Sequence, residues 1–240
     1  MNTSLYVALS GQIATERRLT TIADNIANMN TTGFRQVGIR FSELVDGAQK
    51  TKTSFVTPGV TVLSEAQGAI DSTGNQLDFS INGEGWFMVE TPTGEAMTRD
   101  GRLQVNVDGT LSNLDGYPVL DQGGAQVQLN LTSGPISADR SGILYQRGAI
   151  VGSVGVFDYS APDETLRSGS LSFVPDGVVT PAADRSDFTV LQGFVEKSNV
   201  DAIEQISRLI SVQRNFEQSA TLIQKSEASL EDAIRQIGGK

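Results

Sequence analysis

Apolar residues recur with two different periods along this chain, and the change of period divides it into three regions. From Ser198 onward, Leu209, Phe216, Ile223, Leu230 and Ile237 return every seven residues, and Ile206, Gln213, Ala220, Glu227 and Ile234 sit three residues before each of them. This 3–4 spacing predicts a helix built to lie along another helix. A weaker version opens the chain, with Leu5, Leu9, Gln12, Glu16, Leu19, Ala23 and Ile26 at the same spacing. Between these ends the period is two. Leu77, Phe79 and Ile81 alternate, the turn Asn82-Gly83-Glu84-Gly85 follows, and Trp86-Phe87-Met88-Val89 resumes as strand. Further turns fall at Pro92-Thr93-Gly94, Asp100-Gly101, Asp108-Gly109 and Asp115-Gly116. Short strands between Asp-Gly turns indicate antiparallel β structure. A second β stretch runs from Ile143 to Phe194, and no repeat is regular enough for a propeller or solenoid.

Proline and glycine support the same division. All seven prolines lie between Pro58 and Pro181, and of 25 glycines only Gly11, Gly33, Gly238 and Gly239 fall in the terminal segments. Proline breaks helix interiors, so its distribution separates the regions. The N-terminal helix is expected from about Thr3 to Met29, ending in Asn30-Thr31-Thr32-Gly33, where Gly33 can take the left-handed cap conformation. The C-terminal helix is expected to start with Ser198 or Asn199 as N-cap, with Asp201 placed for a capping box. Running to Ile237, it would reach about 57 Å at 1.5 Å per residue. The fold class that follows is α+β. Residues 1–35 and 198–240 form a coiled-coil-like helical pair, 36–75 an extended connector, and 76–197 an inserted antiparallel β domain.

Composition narrows the chemistry. The chain has 240 residues, enough for one good core and an appendage, and contains no cysteine and no histidine. Disulfides, thiolate or imidazole metal sites and any histidine general base are thereby excluded, so neither metal nor cofactor is expected. No apolar run approaches the roughly 20 residues of a membrane span. The opening residues lack the basic region of a cleavable signal peptide. The net charge is −10, and residues 36–197 carry all of that excess, with twenty acidic and ten basic groups. An acidic middle argues against nucleic acid and anionic lipid as partners. The near-neutral ends suit segments that pack together.

Three blocks then become recognisable. The first is Ala8-Leu-Ser-Gly-Gln12 followed by Asp24-Asn-Ile-Ala-Asn-Met-Asn-Thr-Thr-Gly-Phe-Arg35. The second is Leu77-Asp-Phe-Ser-Ile-Asn-Gly-Glu-Gly-Trp-Phe87 with Thr98-Arg-Asp-Gly101 and Asp108-Gly-Thr-Leu111. The third is Gly193-Phe-Val-Glu-Lys-Ser-Asn-Val-Asp201 with Gln213-Arg-Asn-Phe216. In this order and spacing they cover nearly the whole chain, which resembles the bacterial flagellar rod and hook proteins. The first block resembles the N-terminal rod signature, with Asn25, Asn28, Thr31, Gly33 and Phe34 in its characteristic places. The length argues against a hook protein and the size of the middle against the smallest rod subunits. Trp86 after Gly-Glu-Gly and the short connector favour the proximal-rod type over the distal.

The resemblance implies a non-enzymatic axial subunit, exported uncleaved through the flagellar type III apparatus. Its expected place is the periplasmic rod of the basal body, with copies of itself and other rod proteins above and below. Leu5, Leu9, Leu19, Asn25, Ile26, Asn28, Thr31, Gly33, Phe34, Ile206, Leu209, Gln213, Phe216, Ile223, Leu230 and Ile237 are the expected contact residues. Other readings of the same residues stay open. The terminal heptads alone also fit an intramolecular hairpin, or a soluble coiled-coil adaptor. Asn25 and Asn28 also read as ordinary helix-surface residues, and Gly33-Phe34 as a helix stop with a buried anchor. Trp86 reads first as core. A carboxylate-based cell-wall hydrolase needs two placed acids, and nothing in the sequence singles out a pair. The Asp-Gly pairs lack EF-hand spacing and read as turns.

Overall fold

A computed structural model describes residues 2–41, 43–46, 53–56, 59–159, 166–168, 172–175, 179–182 and 187–238. They form two compact units: residues 1–27, 37–62 and 201–240 in the first, and 28–36 and 63–200 in the second.

The first unit is helical. Helix α1 spans Asn2–Ala27 and helix α2 spans Ala202–Gly238. They pack on each other, and α1 also packs on the strands Val37–Arg40 and Thr53–Val56. Val37–Arg40 pairs with Val60–Leu63, and Glu43–Asp46 pairs antiparallel with Thr53–Val56. These pairings lie within the stretch expected as a connector, whose low periodicity gave no sign of them. Helix α2 starts later than expected. Asp201 is its N-cap, its Oδ1 accepting the Glu204 N–H at 3.0 Å. Asn199, expected in that role, spends its amide on other chain segments.

The expected heptad register is displaced on both helices. On α2 Gln205 and Val212 are buried and Leu209, Phe216 and Ile223 half-buried, while Ile206 is 46 % exposed and Gln213 lies on the surface. On α1 the buried residues are Ala14, Ile22 and Asn25, with Leu19 and Ile26 half-buried and Leu9 48 % exposed. A straight helix turns every 3.6 residues rather than 3.5, so a strict heptad drifts off the contact line. The side chains of Leu5, Leu230 and Ile237 lie outside the described residues.

The second unit holds the β structure. Its largest sheet is antiparallel, in the order Leu166–Ser168, Ser172–Val174, Gly94–Thr98, Trp86–Thr91, Val156–Asp158 and Thr180–Pro181. A three-stranded sheet joins Ile136–Ala138, Ile143–Gln146 and Ala149–Ser153. Two-stranded pairs join Phe79–Asn82 to Thr189–Gln192, Ile70–Ser72 to Phe194–Glu196 and Leu103–Val105 to Leu111–Asn113. The run Trp86–Val89 is buried on both faces. Phe87 and Val89 enter a core with Phe79, Ile81, Leu111, Leu144 and Val156, while Met88 enters a second core with Met97, Leu120, Phe157 and Phe173. A strand covered on both sides reads as continuous apolar residues, which is how this segment looks in the sequence. Asp108 and Asp115 mark turns as expected. Asp100-Gly101 does not: Asp100 is buried and holds Arg102 at 2.7 Å.

Gly33 sits in the second unit at φ +71, and a Cβ there would lie 2.3 Å from the Asp100 backbone nitrogen. Gly74 has nearly the same φ, +70, with open space around it. The pair separates conformational strain from crowding. Gly74→Ala should cost about 1–2 kcal/mol, the penalty of a left-handed alanine, in urea unfolding of the full chain. Gly33→Ala should cost at least about 1–3 kcal/mol more, because backbone must move. Equal losses would show that Asp100 yields freely.

Candidate assembly interface

Two arrangements hold the residues that the sequence singled out, one in each unit. The first is built around Glu196. This residue ends the strand Phe194–Glu196 and is 1 % exposed, yet it carries a carboxylate. Arg35 Nη2 lies 2.9 Å from its Oε1, and Arg99 Nη1 donates to its Oε2 at 2.9 Å. Gly68 N–H donates to Oε1 at 3.1 Å. Each guanidinium also donates to backbone carbonyls. Arg35 Nη1 bonds Glu65 O at 2.6 Å and also Ala66 O, and Arg99 Nη2 bonds Gly83 O at 2.9 Å. Both lie over the Trp86 ring, at 5.5 and 5.2 Å from its centroid, and Trp86 meets Phe173 edge-on at 4.8 Å. Thus Trp86 packs as expected and also bears two cations.

Burial pushes both arginines down, Arg99 to about 10, while the Glu196 carboxylate pulls in the opposite direction. Arg99 remains charged at neutral pH. The desolvation of two cations is tolerable because one carboxylate and several carbonyls replace their water. The arrangement also gathers the chain ends of the unit. Gly33 N–H donates to Glu196 O at 2.7 Å, and Asn199 N–H reaches Phe34 O at 3.4 Å. The Asn199 side chain accepts Gln36 N–H at 2.6 Å and donates to Ala66 O at 2.6 Å and Ser64 Oγ at 3.2 Å. Gly33 and Phe34, expected as contact residues, are buried here. Asn28 and Thr31 are half-buried and bond each other at 3.2 Å.

In the helical unit, Asn25 is 1 % exposed and faces inward. Its Nδ2 donates to Val37 O at 2.8 Å and its Oδ1 accepts Val37 N–H at 2.9 Å. The side-chain amide thereby pairs with a strand residue as a neighbouring strand would. Asn25 is buried at the wall of a groove in this unit. Among the described residues of the same unit, Ile203, Ile206, Ile210 and Leu222 of α2 and Leu9 and Ile13 of α1 are exposed apolar side chains.

Among the described residues no group of His, Cys, Asp or Glu could hold a metal ion, and no helix is long and apolar enough to cross a membrane. What the arrangement offers is a stiffly bound β unit and helices with apolar flanks.

Comparison with known proteins decides the family. Family models match along the chain: "Flagella basal body rod protein" over residues 5–35, "Flagellar hook protein FlgE/F/G D1 domain" over 80–145, and "Flagellar basal body rod FlgEFG protein C-terminal" over 191–236. The flagellar basal-body rod protein FlgF of Mesorhizobium japonicum is 46 % identical over 240 residues, covering 100 % of both chains. The chain belongs to the FlgF family of flagellar basal-body rod proteins. FlgF of Rhizobium meliloti is 44 % identical over 100 % of this chain and 99 % of its own. FlgG of Bacillus subtilis reaches 28 % over 96 % of this chain and 97 % of its own. The relation to FlgF exceeds that to FlgG, which agrees with the proximal-rod reading of Trp86 and the short connector. The FlgF relatives are structural proteins of the rod rather than enzymes.

Arg35, Arg99 and Glu196 were not singled out from the sequence, although each lies in a recognised block, and Asn199 was singled out only as a helix cap. The available signal was a charge interrupting an apolar strand, as in Phe194-Val195-Glu196.

Replacing Glu196 should be costly, because it strands two buried cations. Glu196→Gln, which keeps the shape, should lose about 3–5 kcal/mol of stability. Trp86, the one tryptophan, sits on both arginines and reports this unit by fluorescence. A loss below about 1 kcal/mol, the worth of an exposed pair, would mean the triad holds nothing together. Asn25→Leu should cost about 2–4 kcal/mol, since a buried N–H and a buried C=O of Val37 both lose their partner. Thermal unfolding followed by far-UV circular dichroism checks it.

Proposed function

We infer that this chain is a structural subunit of the proximal rod of the flagellar basal body. The observation that carries the inference is full-length similarity to FlgF proteins, joined to a structure that offers apolar helix flanks. The terminal helices form the assembly element. Their exposed residues, Leu9, Ile206 and Gln213 among those expected, meet helices of neighbouring subunits in coiled-coil-like contacts. Leu209, Phe216 and Ile223 serve the pairing of α2 with α1. Long helices packed in repeated contacts supply the stiffness that torque transmission needs. Interfaces that join unlike surfaces without closing produce such tubes.

The neighbours are other axial proteins of the rod and further copies of this chain. Delivery is by the flagellar type III apparatus, for which a chain without cysteines is suited, since nothing can cross-link before folding.

Cells lacking this chain should build no hook or filament and should not swim, and the full chain should restore both. The doubly substituted Leu9→Glu/Ile206→Glu chain should fail to restore swimming while folding normally, because both side chains are exposed. The check is soft-agar swimming together with detection of the chain in purified basal bodies. Absence of the native chain from those basal bodies would overturn the reading.

A further inference from the structure

The surface of the helical unit carries a groove of about 680 Å³ whose walls include Arg18 and Ile22 of α1, Val37 and Ile39 of the adjoining strand, and Gln205 and Val212 of α2. Gln205 is 1 % exposed, yet its Nε2 has no hydrogen-bond partner among the described residues. A buried amide without an acceptor is costly, and native structures rarely keep one without a reason. Gln205 lines the groove, so an occupant that draws this side chain outward can supply the missing oxygen.

The opposite flank of the same helix presents the complementary shape. At 3.6 residues per turn, Ile203, Ile206 and Ile210 project away from the flank of Glu204, Arg208 and Ser211 that lines the groove. These isoleucines are 80, 46 and 47 % exposed. Their ridge continues one and two turns on into Gln213 and Glu217, both exposed and 3.4 Å apart. The charges match as well. The groove holds Arg18 and Arg208 against a single acid, Glu204, which Arg208 already pairs at 2.6 Å. The ridge brings a carboxylate and a side-chain amide, each with an oxygen that can accept from Gln205.

We propose that the groove receives the Ile203–Ile206–Ile210 ridge of a second copy of this chain, with Gln213 or Glu217 of that copy accepting the Gln205 amide. Groove and ridge lie on opposite flanks of one helix, so the contact is head-to-tail and each copy can take another, the condition for an open helical row. The proposal rests on the rod reading above and names the surfaces by which like copies meet.

A chain without cysteine allows a direct test. Ile206→Cys and Asn215→Cys place one thiol on the ridge and one at the groove, nine residues apart. That is roughly 13.5 Å along the helix at 1.5 Å per residue, beyond the reach of a disulfide within one copy. Ile206→Cys with Ser211→Cys is a second pair on the same surfaces. Each is expressed beside the native chain, and basal bodies are purified and oxidised. The expected result is a ladder of disulfide-linked dimers and larger multimers from the double variants, with none from either single variant. Double variants present in rods without a ladder would overturn the proposal. So would dimers from Ile206→Cys alone, which mean ridge against ridge. Exclusion of both pairs from rods that contain the native chain is also contrary, since Ile206→Cys and Asn215→Cys both reduce side-chain volume. If the native chain is itself absent from the basal bodies, it is the rod reading that fails.

Discussion

A carboxylate buried between two guanidiniums is the constraint on which the β unit of this protein depends. Glu196 cannot be left uncompensated in an interior where water is absent, and neither can Arg35 or Arg99. The three come from sequence positions far apart: the stretch that follows α1, the end of a β strand, and the stretch that precedes α2. Satisfying Glu196 therefore brings these segments to one place. The carbonyls of Glu65, Ala66 and Gly83 and the Trp86 ring complete the site, so the residues that could have been wasted charges become a fastening. Hydrophobic burial supplies most of the unit's stability, but it is not directional. The ion triad selects which segments meet.

This fastening separates two tasks. In the β unit, the chain segments adjoining both helices are held by bonds internal to that unit. In the helical unit, the packing of α1 on α2 uses one face of each helix and leaves apolar residues on the others. A subunit of a tube requires this combination: a part that is complete alone and a part that is completed by neighbours. The exposed isoleucines of α2 and the unpartnered Gln205 amide are features that would be costly in an isolated molecule. Both become favourable when another copy or another axial protein covers them.

Much of this was legible in the residues. The two helices and the β region between them follow from periodicity, proline placement and turn chemistry, and Trp86 packs at the edge of a core. The flagellar family follows from three short blocks read in order. The errors have physical causes. The heptad reading gave the right helices with a displaced contact line, because Gln205 is buried where a strict repeat places Ile206. Helix α2 begins at Asp201 rather than Ser198 or Asn199, because Asn199 binds Gln36, Ser64 and Ala66 instead. Asn25, expected as a contact residue and also readable as helix surface, is a buried bracket for Val37. The triad was invisible because its members are charged residues of ordinary type, and only the three-dimensional meeting of Arg35, Arg99 and Glu196 gives them meaning.

Amide hydrogen exchange, compared between the purified chain and the same chain in isolated basal bodies, tests the assembly account most directly. The account predicts that amides of α1 and α2 exchange far faster in the purified chain than in the rod. The amides of Gly33, Gly68 and Phe79, all in the β unit, should be protected in both. Helices equally protected in the free chain and the rod would contradict it, since that would mean α1 and α2 are already complete without neighbours.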